Sequence, residues 1–359
     1  MSQRRRKTGR WWRGSRTRSC GRPPIRRCSK DRIARYLAFV LAGLLLFGCA
    51  GAEAPLPASS GTPLPAEPNL RVAFIGDQGA GANSRRVLEV VRDEGADLLV
   101  LLGDFDYEDD PSAWDEQITE VLGGDFPVLA VVGNHDVGSW EVYQHLLLER
   151  LSRTPEVKCE GDFGVNAGCR FRGLFVVLSG AGTLGKDHER FISEALAADP
   201  SVWSICAWHK NQKATQVGLK EDEVGWGPYE ACRRGGAIIT NGHEHSYERT
   251  KTLRSIKQQI VDPAWTKPNE LRVGGGSTFV AVSGLGGREV RPQARCYPAR
   301  PPYGCSFEWA SIYTATQGAT FGALFIEFNV KSDYRKAHGY FKNVDGVVID
   351  DFSVVREAP

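Results

Sequence analysis

The 359 residues are enough for one large or two ordinary domains, and 42% of them are hydrophobic, so a sizeable core can be buried. The formal net charge of +2 conceals an asymmetry: Met1–Arg35 holds 14 of the 45 Lys and Arg residues but a single acid, Asp31, leaving 31 basic against 42 acidic residues from Tyr36 onward, a net −11. An acidic globular part argues against a surface that binds phosphate backbones, so no nucleic-acid partner is expected.

Behind the basic stretch, Tyr36–Gly48 is a run of 13 uncharged residues. It is short for a membrane span, which needs roughly 20 apolar residues, and it suits the apolar region of a signal peptide behind a positive flank. Leu46-Phe47-Gly48-Cys49 resembles a bacterial lipoprotein signal. On that reading residues 1–48 are removed, Cys49 is lipidated, and the exported protein sits in the cell envelope, anchored to a bacterial membrane. An uncleaved anchor and ordinary secretion stay open, and the clustered arginines also match a twin-arginine export route. Beyond Cys49 six cysteines remain, an even count that favours disulfides in an exported chain. Proximity in sequence suggests Cys159–Cys169, Cys206–Cys232 and Cys296–Cys305, one of fifteen connectivities. Thiolate metal ligation is the rival reading, but no pair has C-x-x-C spacing.

Ala50–Pro68 carries five prolines among Ala, Ser and Gly and reads as an extended tether, so residues 49–69 link the anchor to a globular domain over 70–356. Leu70–Ile75 predicts a buried strand that runs into Gly76-Asp77-Gln78-Gly79-Ala80-Gly81, followed by a helix with Val87, Leu88, Val90 and Val91 on its apolar face. Asp97–Leu102 predicts a second strand ending in Gly103-Asp104-Phe105-Asp106-Tyr107. A helical stretch over 114–122 then leads to Pro127–Val132, which ends in Gly133-Asn134-His135-Asp136. Leu174–Leu178 is another strand, and Asp187–Ala198 a helix. Ser201–Trp208 runs into His209, and Gly236–Ile239 into Thr240-Asn241-Gly242-His243-Glu244-His245. Continuous apolar runs alternating with helices indicate an α/β fold with a mainly parallel sheet. Ligands of such sheets collect at the carboxyl ends of the strands. After Arg249 the strands are short and partly alternating, with Val344-Asp345-Gly346 as a hairpin turn. They predict a second, more antiparallel sheet facing the first.

The strand ends bring together Asp77, Asp104, Tyr107, Asn134, His135, His209, His243 and His245. The set has the size and composition that a pair of metal ions needs, with a bridging carboxylate and terminal O and N ligands. Taken singly, each residue has a plainer reading: Asp77 as a turn or helix-cap residue, Tyr107 as a packed aromatic, His209 as a satisfied buried histidine.

In order along the chain, Asp77-Gln78-Gly79, Gly103-Asp104-x-x-Tyr107, Gly133-Asn134-His135-Asp136, a lone His209 and Gly242-His243-x-His245 resemble the calcineurin-like metallophosphoesterases, and within them the purple acid phosphatases. The resemblance covers roughly 70–352, with few motifs after Arg249. It implies two facing mixed β-sheets flanked by helices, an α/β/β/α sandwich. It implies one metal held by Asp77, Asp104, Tyr107 and His245, and a second held by Asp104, Asn134, His209 and His243. The implied ions are Fe(III) with Fe(II), Zn(II) or Mn(II), because a phenolate such as Tyr107 suits iron(III). The implied reaction is hydrolysis of a small phosphorylated substrate by attack of a metal-bound hydroxide, with phosphate monoesters as the leading class and His135 as the catalytic residue beside the ligands. Phosphodiesters or phosphoanhydrides are the alternative, and a non-catalytic surface-binding lipoprotein is the alternative from a different class. Asn211, Gln212 and Tyr247 are further candidates for substrate contact. His145, His188 and His338 read as structural or surface residues. The loop 76–81 lacks the Gly-Lys-Ser/Thr ending of a P-loop and the G-x-G-x-x-G order of a dinucleotide site.

Overall fold

Runs of Val, Leu, Ile and Phe without alternation become strands buried on both faces. Leu70–Ile75, Leu98–Leu101, Leu174–Ser179 and Trp203–Trp208 are of this kind, with almost every side chain inaccessible. The computed structural model of the protein describes residues 62–357. The expected signal segment, the Cys49 lipidation site and the first part of the tether lie outside the described residues. Among those described, no helix is long and apolar enough to cross a membrane.

Among the described residues, all strands but the short antiparallel pair Leu253–Ser255 and Ile260–Val261 form two mixed sheets flanked by helices. In the first, Leu70–Ile75 lies at the centre, parallel to Leu98–Leu101, which in turn pairs with Val128–Ala130. On its other side run Gly322–Phe328, Lys336–Asn343 and Val348–Arg356, each antiparallel to its neighbour, with Glu270–Val273 at the edge. The second sheet has Leu174–Ser179, Trp203–Trp208, Ile238–Asn241 and Val280–Ser283 as its parallel centre. Antiparallel strands flank it: Asn166–Phe171 and Val157–Asp162 on one side, Tyr247–Thr250 and Trp309–Tyr313 on the other.

This corrects one expectation. The parallel strands do not gather in one sheet with the late strands in another. They are shared between both sheets, and the late strands 322–356 extend the first. An apolar run specifies that a strand is buried, not which strand it pairs with, and the pairing is decided by long-range packing. The hairpin at Val344-Asp345-Gly346 forms as expected, with the Gly346 N–H donating to Asn343 O at 3.0 Å.

Among the described residues five α-helices cover the sheets: α1 (Ala82–Asp93), α2 (Pro111–Leu122), α3 (Trp140–Ser152), α4 (His188–Ala198) and α5 (Trp226–Gly235). Side-chain alternation along the second sheet divides its two faces. Val176, Ile205, Ile238 and Ala281 share a core with Val72, Phe74 and Leu99 of the first sheet. Their neighbours Val177, Cys206, Ile239 and Val280 pack on Ile192 and Leu196 of α4 and Tyr229 and Cys232 of α5.

All three expected disulfides are present: Cys159–Cys169, Cys206–Cys232 and Cys296–Cys305. The first joins facing residues of an antiparallel pair, and the second staples α5 to the strand Trp203–Trp208. The tether also meets the domain before Leu70. The Leu64 N–H donates to Pro200 O at 3.0 Å, the Glu67 N–H donates to Arg172 O at 2.9 Å, and Ala66 is buried. Among the described residues, domain contacts therefore begin at Leu64. Because Cys206–Cys232 encloses a loop of 26 residues, replacing both cysteines by serine is expected to lower stability by about 3 kcal/mol, measured as a shift of the denaturant midpoint at unchanged slope.

Candidate metal centre

Each strand that carries a site residue ends in a sharp turn. Asp77, Asp104 and His243 have φ of 58°, 54° and 69°, left-handed conformations that cost of order 1–3 kcal/mol each for a residue with a Cβ. Asp tolerates this region better than most residues because its short side chain bonds locally. The turns are tied to each other by backbone hydrogen bonds: Gly76 N–H to Ser283 O (2.8 Å), Asp77 N–H to Gly103 O (3.0 Å), Gln78 N–H to Asp104 O (3.0 Å) and Gly242 N–H to His209 O (3.1 Å). The first of these joins the two sheets directly. Gly133 is required for the approach: a Cβ there would stand 2.1 Å from Asp104 N. The Gly that precedes Asn134 in the sequence is thus a contact surface for the neighbouring turn.

Seven of the predicted residues converge. Tyr107 Oη lies 3.3 Å from Asp77 Oδ1, 3.4 Å from Asp104 Oδ2 and 3.4 Å from His245 Nε2. His209 Nε2 lies 3.2 Å from both Asp104 Oδ2 and Asn134 Oδ1, and 3.0 Å from His243 Nδ1. His245 Nε2 is 3.2 Å from Asp77 Oδ1, and the His243 N–H donates to Asp77 Oδ2 at 2.7 Å. Asp104 stands between the two groups, with Tyr107 on one side and His209 on the other. One carboxylate oxygen of Asp104, one nitrogen of His209 and one of His243 all lie within 4.8 Å of one another. His135 is exposed, its N–H donating to Asp104 Oδ1 at 2.9 Å and its ring 4.5 Å from that of Tyr107. It therefore stands at the mouth.

The remaining candidates are placed elsewhere. Tyr247 is buried, stacked on Phe341, and donates to Asp350 Oδ2. Gln212 Oε1 accepts the N–H groups of Val224 and Gly225, which makes it a loop brace. Asn211 Nδ2 donates to Gly242 O behind the ligand turn. His188 bonds Asn166 and Ser179, His338 pairs with Asp351, and His145 is exposed on α3.

The ring nitrogens of the three histidines provide a test of whether the residues fit metal ions. Carbonyls and carboxylates only accept hydrogen bonds, so a ring nitrogen bonded to one carries the proton. His209 Nδ1 faces Leu102 O at 2.8 Å, and His243 Nε2 faces Glu223 Oε2 at 2.7 Å. His245 Nδ1 stands 3.3 Å from Glu289 Oε1, a looser contact that falls short of an aligned hydrogen bond. The opposite nitrogens, His209 Nε2, His243 Nδ1 and His245 Nε2, face a space already lined by two carboxylates, an amide oxygen and a phenol, and a cation bound there would displace the proton that Asp104 holds on His209 and take their lone pairs. This donor set fits hard or borderline cations.

Its electrostatics demand positive charge. Burial and the charges of Asp77 and Asp104 push the Tyr107 hydroxyl far above its usual range, so a phenolate forms there only opposite a strong compensating cation. Burial works against a charged His209, yet the charge and hydrogen bond of Asp104, with Asp77, raise it to about 9. Burial and the neighbouring charge of His209 keep His243 neutral. Burial would raise Asp104, but His209 and the His135 N–H hold it below the usual carboxylate range.

Several supporting residues were not singled out by the sequence. Asp136, fully buried, accepts N–H groups from Gly133 (2.7 Å), Asp104 (2.9 Å) and Phe105 (2.9 Å) and so braces two ligand turns at once. Burial and the charge of Asp104 raise it to about 7. Its position in Gly-Asn-His-Asp was the only available signal. Arg288, from the loop after Val280–Ser283, holds its guanidinium 4.4 Å over the Tyr107 ring, and its backbone N–H donates to Asp77 O. Nothing in the sequence near Arg288 marks it.

Asp136→Ala is expected to destabilise the protein by about 2–4 kcal/mol, since three buried donors lose their acceptor, measured by chemical denaturation. In metal-free protein His209 is raised from 6.5 to about 9. Its stabilising contribution is complete below pH 6.5 and is lost as the pH rises through about 9. The melting temperature of metal-free protein should therefore fall between these pH values, and His209→Asn should flatten that fall.

Residues 70–247 match the family model for calcineurin-like phosphoesterases. No curated protein matches the sequence. Among solved structures, a purple acid phosphatase from yellow lupin (Lupinus luteus) seeds is similar in fold, with a TM-score of 0.55 at 17% identity, over 84% of this chain and 55% of that one. The chain thus spans little more than half the length of the lupin protein. PhoD aligns over 85% of this chain and 76% of that one at 11% identity and a TM-score of 0.43. A dimetal phosphatase from Danio rerio aligns over 80% and 99% at 10% identity and a TM-score of 0.44. The match covers all five turns that carry the candidate site residues, in order, and residues 70–247 belong to the calcineurin-like phosphoesterases.

Proposed function

We propose that the protein is a binuclear-metal phosphatase of the purple acid phosphatase type that hydrolyses phosphate monoesters. The observation that carries this reading is the convergence of Asp77, Asp104, Tyr107, Asn134, His209, His243 and His245 on one space, with Asp104 central. Asp77, Asp104, Tyr107 and His245 would hold one ion, and Asp104, Asn134, His209 and His243 the other. Tyr107 favours iron(III) in the first position, with Fe(II), Zn(II) or Mn(II) in the second. When bound, such a pair supplies Lewis-acid activation of the water nucleophile and neutralises charge on the phosphoryl group.

The chain's own groups orient the substrate. His135, at the mouth, is placed to donate a proton to the leaving oxygen or to stabilise charge on the phosphoryl group. Arg288 favours monoesters over diesters. Its side chain, 45% exposed, stands over Tyr107 with Glu108 Oε1 3.6 Å from Nη1 as its carboxylate neighbour. A fixed cation at the rim attracts a monoester dianion more strongly than a diester monoanion. Phosphodiester or phosphoanhydride hydrolysis by the same centre is the second reading.

Export and attachment to a bacterial envelope through Cys49 belong to the same proposal, supported by the apolar run Tyr36–Gly48 and by the three disulfides.

Hydrolysis of aryl phosphate monoesters and diesters, measured side by side, tests the substrate class. The monoester should be preferred, and Arg288→Gln should lower kcat/KM for the monoester by about tenfold while sparing the diester, a loss of roughly 1.4 kcal/mol of transition-state binding. Asp104→Asn should lower activity by more than about a hundredfold, beyond the loss typical of groups outside the ligand set. A wild-type diester preference would sink the monoester reading. Purified protein should contain iron and absorb visible light through Tyr107.

A further inference from the structure

The strand Trp203–Trp208 delivers His209, and the chain then makes a long excursion before α5 begins at Trp226. That excursion is closed at its base. The Glu223 N–H donates to Asn211 O at 3.2 Å, the Lys213 N–H to Asp222 Oδ1 at 2.8 Å, and the Val224 and Gly225 N–H groups to Gln212 Oε1 at 2.7 and 2.8 Å. It is also held from outside: Ala294 and Arg295, beside the Cys296–Cys305 disulfide, donate backbone N–H groups to Val217 O at 2.9 and 3.1 Å. The result is that Glu223, remote from every sequence motif, returns to the ligand cluster. Its Oε2 lies 2.7 Å from His243 Nε2, and its Oε1 accepts from Lys210 Nζ at 2.8 Å. Its side chain is only 26% exposed.

We infer that Glu223 is the positioning residue of the second metal site. By accepting the Nε2–H of His243 it fixes the ring's tautomer and rotation, so that Nδ1 meets His209 Nε2, 3.0 Å away, with a lone pair. Lys210, adjacent in sequence to the ligand His209, clamps the other oxygen and prevents Glu223 from turning into the ligand space. An anionic acceptor behind an imidazole also raises its basicity as a ligand. The corresponding contact on the other side of the centre is weaker: Glu289, with a side chain 50% exposed, stands 3.3 Å from His245 Nδ1 and is shared with Arg291 Nε at 2.6 Å. The asymmetry predicts that the two sites depend unequally on their outer carboxylates, with the His243 side depending on Glu223.

The inference rests on the binuclear reading proposed above, and metal retention tests it separately from activity. Full-length wild-type, Glu223→Ala, Glu223→Gln and Glu289→Ala proteins, loaded with metal and titrated with chelator, would be followed by bound-metal stoichiometry, visible absorption and circular dichroism. Glu223→Ala is expected to fall from two equivalents to one at roughly 10- to 100-fold lower chelator concentration than wild type, keeping the Tyr107-side ion and its absorption. Glu223→Gln, which keeps an acceptor without the charge, should lie between the two. Glu289→Ala should retain the His243-side ion as wild type does. The inference is overturned if Glu223→Ala and Glu223→Gln hold both ions as tightly as wild type, or if a folded Glu223 variant loses both ions together. Should Glu223→Ala fail to fold, the Glu223→Gln titration decides alone. Wild-type protein that takes up no metal would instead overturn the binuclear reading beneath it.

Discussion

Two carboxylates, a phenol and three imidazoles crowd into one buried space around Asp77 and Asp104. Removed from water, charges of one sign cannot stay together without compensation. The compensation visible in the chain is partial: backbone N–H groups from His135 and His243 meet the carboxylates, and the charge of His209 is drawn up beside Asp104. The rest must come from cations, whether protons or metal ions. A metal ion held there would compete with the proton on His209.

The architecture serves that requirement. Ligands come from both sheets, so the space they share is fixed only if the sheets are fixed to one another. The common core of Val72, Phe74, Val176 and Ile205 supplies the bulk of that attachment. The hydrogen bond from Gly76 to Ser283 and the close approach of Gly103 to the His209 ring set the last ångström. The left-handed backbone at Asp77, Asp104 and His243 is strain that this framework sustains, and it turns the side chains inward at the strand ends.

A second layer explains how these imidazoles and carboxylates become an ordered donor set. Leu102 O, Glu223 and Asp136 make no contribution to the ligand list, yet each removes a degree of freedom from a ligand or its turn. The rim adds charge of the opposite sign through Arg288, which stands over the Tyr107 ring with Glu108 as its carboxylate neighbour.

Much of this was legible in the sequence. Leu70–Ile75, a helix after the 76–81 loop, the helical stretches read over 114–122 and 187–198, and the three disulfides follow from apolar runs, helix periodicity and cysteine proximity. The seven converging residues follow from short motifs because a turn at a strand end is a local structure, written in adjacent residues. What the sequence could not carry is whatever depends on partners distant in the chain. The strands of 322–356 join the first sheet and not the second, because strand pairing is settled by packing on both faces and not by the run itself. Tyr247, next to the His-x-His turn, is claimed by Asp350, more than a hundred residues away. Glu223, Glu289 and Arg288 reach the site from loops whose course depends on the whole fold. The chain by itself thus determines which groups gather at the strand ends and in what order they appear. The tertiary structure alone decides how they are aimed, because orientation is set by hydrogen bonds and contacts between residues that are neighbours only after folding.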